Sequence, residues 1–153
     1  MANTYTQINV HVVFAVKGRE NVIHGELMDQ ICKYMHGILV NLKQFPLAIG
    51  GYKNHVHLFF ELNPDTGLSD IVEKTKSNTS KWINDHKMMM GHFEWQRGYG
   101  GFSYSRSQRN KVIKYIMRQE DHHKGKTFRE EYMDILNKFE IDFDDKYVFE
   151  FYE

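Results

Sequence analysis

Two histidines separated by one residue sit inside an apolar run, GYKNHVHLFFEL, from Gly51 to Leu62. In a strand, alternate side chains share a face, so Val56, Leu58 and Phe60 point one way and His55, His57 and Phe59 the other. Two imidazoles on one side of a strand are close enough to hold one metal ion. The same spacing also suits two exposed polar residues on a half-solvated strand. A second constellation lies in VIKYIMRQEDHH. Tyr115 and Gln119, four residues apart, share a helix face, and His122 continues it. Val112, Ile113, Ile116 and Met117 form a neighbouring apolar stripe that can anchor the helix, and Arg106, Arg109, Lys111, Lys114 and Arg118 surround it. An amphipathic helix with a half-buried tyrosine is the plainer reading.

The elements that must position these residues are legible as patterns. Tyr5 to Ala15 alternates, with Ile8, Val10, Val12 and Phe14 on one face and Gln7, Asn9 and His11 on the other, as in a half-buried strand. Leu27, Ile31, Met35, Ile38 and Leu42 recur at helical spacing, so residues 25–43 are a helix. Phe45 to Gly50 and Asn54 to Leu62 read as strands around a turn region at Gly50-Gly51. Ser69 or Asp70 caps a second helix running to about His86. Phe93 to Tyr104 reads as strand interrupted by Gly98, Gly100 and Gly101. Ser105 and Gln108 make a capping box for a third helix, residues 106–124, and a short helix spans 128–138. The order strand, helix, strand, strand, helix, strand is α+β, a ferredoxin-like or RRM-like antiparallel sheet with helices on one face, followed by a tyrosine-bearing helix. The other face is expected to be open, with His55 and His57 on it.

The chain has 153 residues and no net charge. That balance hides a split: residues 127–153 carry nine Asp and Glu against three Lys and Arg, leaving residues 1–126 with a net of +6. A basic body with an acidic tail suits a polyanion-binding domain. The charge split divides the chain into a main domain over residues 1–126 and an acidic extension over residues 127–153, expected to pack on or beside it. The lone Cys32 reads as core packing and makes a reducing cytoplasm the default. No apolar run is long enough to span a membrane.

QINVHVVFAVKGR, NHVHLFFEL, KSNTSKWIN, WQRGYGGFSYSRS and VIKYIMRQEDHH, in that order, resemble the small HUH-type single-tyrosine transposases of the insertion-sequence 200/605 group, including the REP-associated tyrosine transposases. The resemblance runs to about Tyr147. It implies that Tyr115 is the nucleophile, that His55 and His57 hold a metal, and that Gln119 is the third protein ligand. It implies cleavage and rejoining of single-stranded DNA through a 5′-phosphotyrosine, with recognition of hairpin ends. Transesterification needs no ATP, in keeping with the absence of a P-loop sequence.

The implied cofactor is Mg2+ or Mn2+. Two imidazoles and an amide oxygen suit Mn2+, Zn2+ or Ni2+ better than Mg2+. Lys17, Arg19, Lys74, Lys81, Arg106, Arg109, Lys114 and Arg118 are the expected DNA contacts, and the cations near Tyr115 are expected to lower its pKa. Tyr99, Phe102 and Tyr104 are candidates for base stacking. The resemblance also implies a homodimer, with the tyrosine helix favoured to serve the partner's histidine pair. Two alternatives remain at this stage. One is a non-catalytic single-stranded nucleic-acid-binding protein, such as a domesticated transposase. The other is a metal phosphoesterase using the HVH pair, weakened because Phe59 stands where a histidine-triad hydrolase needs a third histidine.

Overall fold

In the computed structural model, which describes residues 3–18 and 22–152, an antiparallel sheet of four strands carries helices on both sides. The strands are β1 (Asn9–Ala15), β2 (Phe45–Tyr52), β3 (His55–Glu61) and β4 (Gly100–Tyr104), in the order β2-β3-β1-β4. Helices α1 (Gly25–Asn41) and α2 (Leu68–Asp85) follow β1 and β3. Chain order and strand order together are those of the ferredoxin-like split arrangement. Three further helices follow β4: α3 (Arg109–Met117), α4 (Gln119–His122) and α5 (Phe128–Lys138).

Register assigns the faces. His57 lies opposite Val13 and Gly50, while Phe59 lies opposite His11 and Ala48. Val56 and Leu58 lie opposite Phe14 and Val12, on the other face. Two glycine pairs show what covers each side. A Cβ on Gly51 would stand 2.9 Å from Met28 Sδ in α1, and one on Gly101 3.4 Å from Leu68 in α2. A Cβ on Gly50 would meet the Ile116 carbonyl oxygen of α3 at 2.5 Å, and one on Gly100 the Tyr132 hydroxyl of α5 at 2.5 Å. So α1 and α2 cover one face, and α3 and α5 cover the face that holds the histidines.

That second face is not open, contrary to the sequence expectation. Val112 and Ile116 of α3 pack on Ala48 and Phe59, and Phe128, Tyr132, Ile135 and Leu136 of α5 join the main core. Phe149 joins it too, and Gln96 exchanges two hydrogen bonds with the Glu150 backbone at 2.7 and 2.8 Å. Helix α5 thus covers the sheet face that carries the histidines, Phe149 packs on α5 against Phe128 and Tyr132, and residues 141–147 are exposed.

Two other expectations shift. The β2–β3 turn falls at Lys53-Asn54, with Lys53 at φ 56°, and Gly50-Gly51 lies inside β2. Those glycines serve the close approach of α3 and α1 rather than a turn. The predicted helix over 106–124 is broken. Ser105 and Gln108 do form their capping box, around a 3-10 turn at Arg106–Gln108. Arg118 then leaves helical geometry at φ −109°, ψ 27°, and α4 starts at Gln119. The helix 128–138 is as expected, and Thr127 and Glu130 cap it reciprocally.

Candidate active site

His55 and His57 are both fully buried, beneath α3, α4 and α5. His55 Nδ1 lies 2.9 Å from Asn54 Oδ1, an acceptor, which puts the ring proton on Nδ1 and the lone pair on Nε2. Burial, against a raising contribution from Glu131, lowers the His55 pKa to about 4, so the ring is neutral. Its bare Nε2 faces two oxygens, Gln119 Oε1 at 2.9 Å and Glu131 Oε1 at 3.1 Å. Lone pairs turned toward one another in a dry site form a donor set for a cation.

Glu131, from α5, is the hub of this set, and its side chain is 1 % exposed. Its Oε1 lies 3.3 Å from His57 Nε2 and 3.0 Å from His123 Nε2. Its Oε2 accepts hydrogen bonds from Gln119 Nε2 at 2.9 Å and from the Tyr115 hydroxyl. Burial opposes ionisation of Glu131, but His57 and His123 hold its carboxyl well below the ordinary range. His55, His57 and Glu131 each offer one ligand atom, all within 4.8 Å of one another, a spacing that can take one metal ion. Gln119 Oε1 adds a fourth oxygen or nitrogen donor beside them, 3.1 Å from His123 Nε2. The break at Arg118 turns Gln119 inward, where it is 2 % exposed.

Tyr115 stands at the mouth of this cluster, its ring edge-on to His57 at 5.7 Å between centroids. A cleft of about 380 Å³ opens beside it, bordered by Lys111, Lys126 and Lys138. Burial first, then the Glu131 carboxylate, push the phenol well above its ordinary pKa. This reverses the expectation that neighbouring cations lower it, because the nearest charge is a carboxylate.

Residues 4–119 match the family model described as "Transposase IS200 like". The chain belongs to this family. It is similar to the ISDra2 transposase TnpA of Deinococcus radiodurans, 23% identical over 120 residues that cover 75% of this chain and 86% of that protein. Its fold is similar to a crystal structure described as that of a candidate transposase from Deinococcus radiodurans R1, with a TM-score of 0.61, 19% identity and coverage of 78% of this chain and 95% of that one. It is also similar to a REP-associated tyrosine transposase solved bound to a REP hairpin, with a TM-score of 0.59, 11% identity and coverage of 80% and 73%.

The IS200-like match takes in His55, His57, Tyr115 and Gln119 and stops short of His123 and Glu131. The structure gathers all six around one point. Sequence reasoning missed Glu131 and His123 because both follow the helix break, and Glu131 reads as one of several acidic residues in the tail. The expected DNA contacts scatter. Lys74 and Lys81 lie on α2, across the sheet from the histidines, and Lys81 pairs with Asp85 at 2.6 Å. Lys17 is exposed with Glu94 3.5 Å away. Arg19 lies outside the described residues. Arg109 is bound to Glu61 and, at 2.8 Å, to Asn9 Oδ1, which ties α3 to the sheet. Arg106, Lys114 and Arg118 are exposed around α3. Phe102 is 4 % exposed and belongs to the core, which removes it as a stacking candidate. The Cys32 thiol, raised to about 12 by burial and then by Asp29, fits the packing role read from sequence.

The histidines and Tyr115 lie together within this single chain. Gly100 and Gly101 lie in β4, and the missing Cβ of Gly50 admits α3 onto its own sheet. No described helix is long and apolar enough to cross a membrane.

Proposed function

We propose that this IS200-like transposase cuts and rejoins single-stranded DNA through a 5′-phosphotyrosine on Tyr115, with His55, His57, Glu131 and Gln119 holding a divalent ion, Mg2+ or Mn2+. The observation that carries the reading is the convergence of a neutral His55 lone pair, His57 Nε2 and two side-chain oxygens on one dry point beside a tyrosine. The carboxylate eases the mismatch left by a ligand set of two imidazoles and an amide, since an anionic oxygen suits Mg2+ and Mn2+. A divalent ion bound there supplies positive charge to the phosphate oxygens and the departing 3′-oxygen.

The chain's own groups do the rest. The Tyr115 oxygen forms a bond to the scissile phosphorus while the bond from phosphorus to the 3′-oxygen breaks. As that bond forms, the tyrosine proton passes to Glu131 Oε2, toward which the hydroxyl already donates, and on to solvent, while the departing 3′-oxygen takes a proton from solvent. Attack on the phosphotyrosine by another 3′-hydroxyl reverses the step and rejoins the strand. Gln119 Nε2 fixes the carboxylate, and at rest the buried phenol stays neutral. Lys111, Lys126 and Lys138 border the cleft where a phosphate chain can approach Tyr115; Lys114, Arg106 and Arg118 extend that basic surface. Lys17 and Arg19, with Lys74 and Lys81 on the far layer, are proposed to hold flanking DNA. Hairpin ends as the substrate are carried over from the REP-hairpin complex of the structural relative.

A homodimer is proposed along the exposed β2 edge, where Phe45, Val40 and Met117 stand uncovered, each site remaining complete within one chain. Residues 127–153 belong to the working catalytic unit because Glu131 does. The deciding experiment is covalent capture of a suicide single-stranded hairpin oligonucleotide on a denaturing gel. The wild type should form an adduct; Tyr115→Phe should bind the DNA and form none. An adduct with the Phe variant sinks the assignment, and multiple turnover without adduct makes the protein a hydrolase.

A further inference from the structure

His57 is held from both ends. Its Nε2 faces Glu131 Oε1 at 3.3 Å, and its Nδ1 lies 2.7 Å from Nε2 of His11 in β1. The two imidazoles stack with centroids 5.0 Å apart and planes 18° apart. His11 is fully buried, and its Nδ1 is, among the described residues, the buried side-chain atom left without a hydrogen-bond partner. His55 has an oxygen, Asn54 Oδ1, for its outer nitrogen; His57 has only another imidazole.

A neutral imidazole has one N–H and one lone pair. For Nε2 of His57 to give its lone pair to a metal, the ring proton must sit on Nδ1, and that N–H needs an acceptor. Nε2 of His11 stands in that place. If it accepts, the proton of His11 must lie on its own Nδ1, the atom without a partner. The opposite arrangement, in which His11 donates, places a proton on Nε2 of His57 and blocks coordination there. The two rings are therefore linked: the tautomer of one sets the tautomer of the other.

We infer that His11 is a positioning residue, whose Nε2 accepts from the His57 Nδ1–H and so aims the His57 Nε2 lone pair at the ion. The inference rests on the metal reading proposed above. Outer partners of this kind fix ring orientation and tautomer, and their loss weakens metal binding by about 10–100-fold. The usual acceptor is a carboxylate or carbonyl oxygen, which leaves no second nitrogen to satisfy. Here the chain of hydrogen bonds ends at a buried N–H with no acceptor, which works against the metal-competent tautomer.

The test measures Mn2+ binding to the full chain by the loss of the free-ion electron paramagnetic resonance signal, without DNA. His11→Leu should weaken Mn2+ binding by about 10–100-fold while the metal-free melting temperature holds or rises. His11→Gln, whose amide oxygen can take the acceptor role, should recover most of that affinity. Equal binding by wild type and His11→Leu overturns the inference, and so does a Gln variant as weak as the Leu variant. Should His11→Leu fail to fold, nitrogen-15 imidazole spectra of the wild type with Zn2+ decide. The expected result has the His57 and His11 protons on Nδ1; a proton on His57 Nε2 overturns it. A wild type that binds neither Mn2+ nor Zn2+ overturns this inference and the metal reading together, whereas binding indifferent to His11 overturns the inference alone.

Discussion

Glu131→Gln is nearly isosteric and keeps α5 packed, yet it removes the one negative charge in the buried cluster. In the metal-free protein, Oε1 has three imidazole nitrogens at 3.0, 3.1 and 3.3 Å. Gln supplies an amide nitrogen or a weaker oxygen in their midst, and an amide nitrogen there leaves the neutral His55 Nε2 satisfied but unable to ligate. Loss of a directly coordinating carboxylate should exceed the 10–100-fold effect of outer-shell changes, so Mn2+ binding should fall by about 100-fold or more. The phenol should respond in the opposite sense. With the carboxylate gone, Tyr115 loses both contributions from Glu131 but keeps its burial, the largest cause, so its pKa should fall while staying above the ordinary tyrosine value. The assays are Mn2+ titration by paramagnetic resonance and phenolate absorbance against pH, with Tyr115→Phe as the blank. A Gln variant that binds Mn2+ as tightly as wild type would refute Glu131 as a ligand. An unchanged Tyr115 titration would refute the coupling between the carboxylate and the nucleophile.

Metal-free protein should lose stability as pH falls from about 6.5 to about 4. His55 is held neutral in the fold, flanked by Glu131, His57 and His123, but takes a proton when unfolded. The sign follows because the unfolded chain binds more protons in that window, and the loss is about 3 kcal/mol in order of magnitude. Urea melts at stepped pH check it; a flat stability curve from pH 7 to 4 contradicts a buried neutral His55. Gly50→Ala places a methyl 2.5 Å from the Ile116 carbonyl oxygen and should cost about 1–3 kcal/mol while lowering adduct formation, measured by melting and covalent capture. Arg109→Ala should cost about 1–3 kcal/mol of stability through Glu61 and Asn9, with DNA affinity measured by gel shift little changed. If each site is complete within one chain, as proposed, mixing His57→Ala with Tyr115→Phe under subunit exchange should leave covalent capture absent; restored adduct would establish the trans arrangement.

Much of the fold was written in local periodicity. Alternation in β1, the helical repeat in α1 and the capping box of Ser105 and Gln108 fall within a few residues of expectation, because each is a short-range property. His55, His57, Tyr115 and Gln119, which the resemblance singled out, lie together in the fold, whereas their neighbours His123 and Glu131, beyond Gln119, had not been singled out. Glu131 carries no local signal, since its role comes from α5 folding back over the sheet. His11 looked like a polar residue on the outward side of a half-buried strand, and only the cover of α3 and α5 turned that side into an interior. The Gly50-Gly51 pair misled for a related reason: a doubled glycine suggests a turn, while here the missing side chains admit a helix on each face.

The contacts that close the site join residues far apart in the chain. His11 and His57 are 46 residues apart, His55 and Gln119 64, His57 and Glu131 74, and Gln96 and Glu150, which tie down the end, 54. Contacts of such sequence separation form late and together, because each closes a long loop before it is rewarded. A partly folded chain therefore holds pieces of the ligand set but not the set itself. On the metal reading proposed above, ion binding and global folding become one equilibrium: an ion at 100 times its dissociation constant adds about 2.7 kcal/mol to the folded state. The melting temperature should then climb with ion concentration.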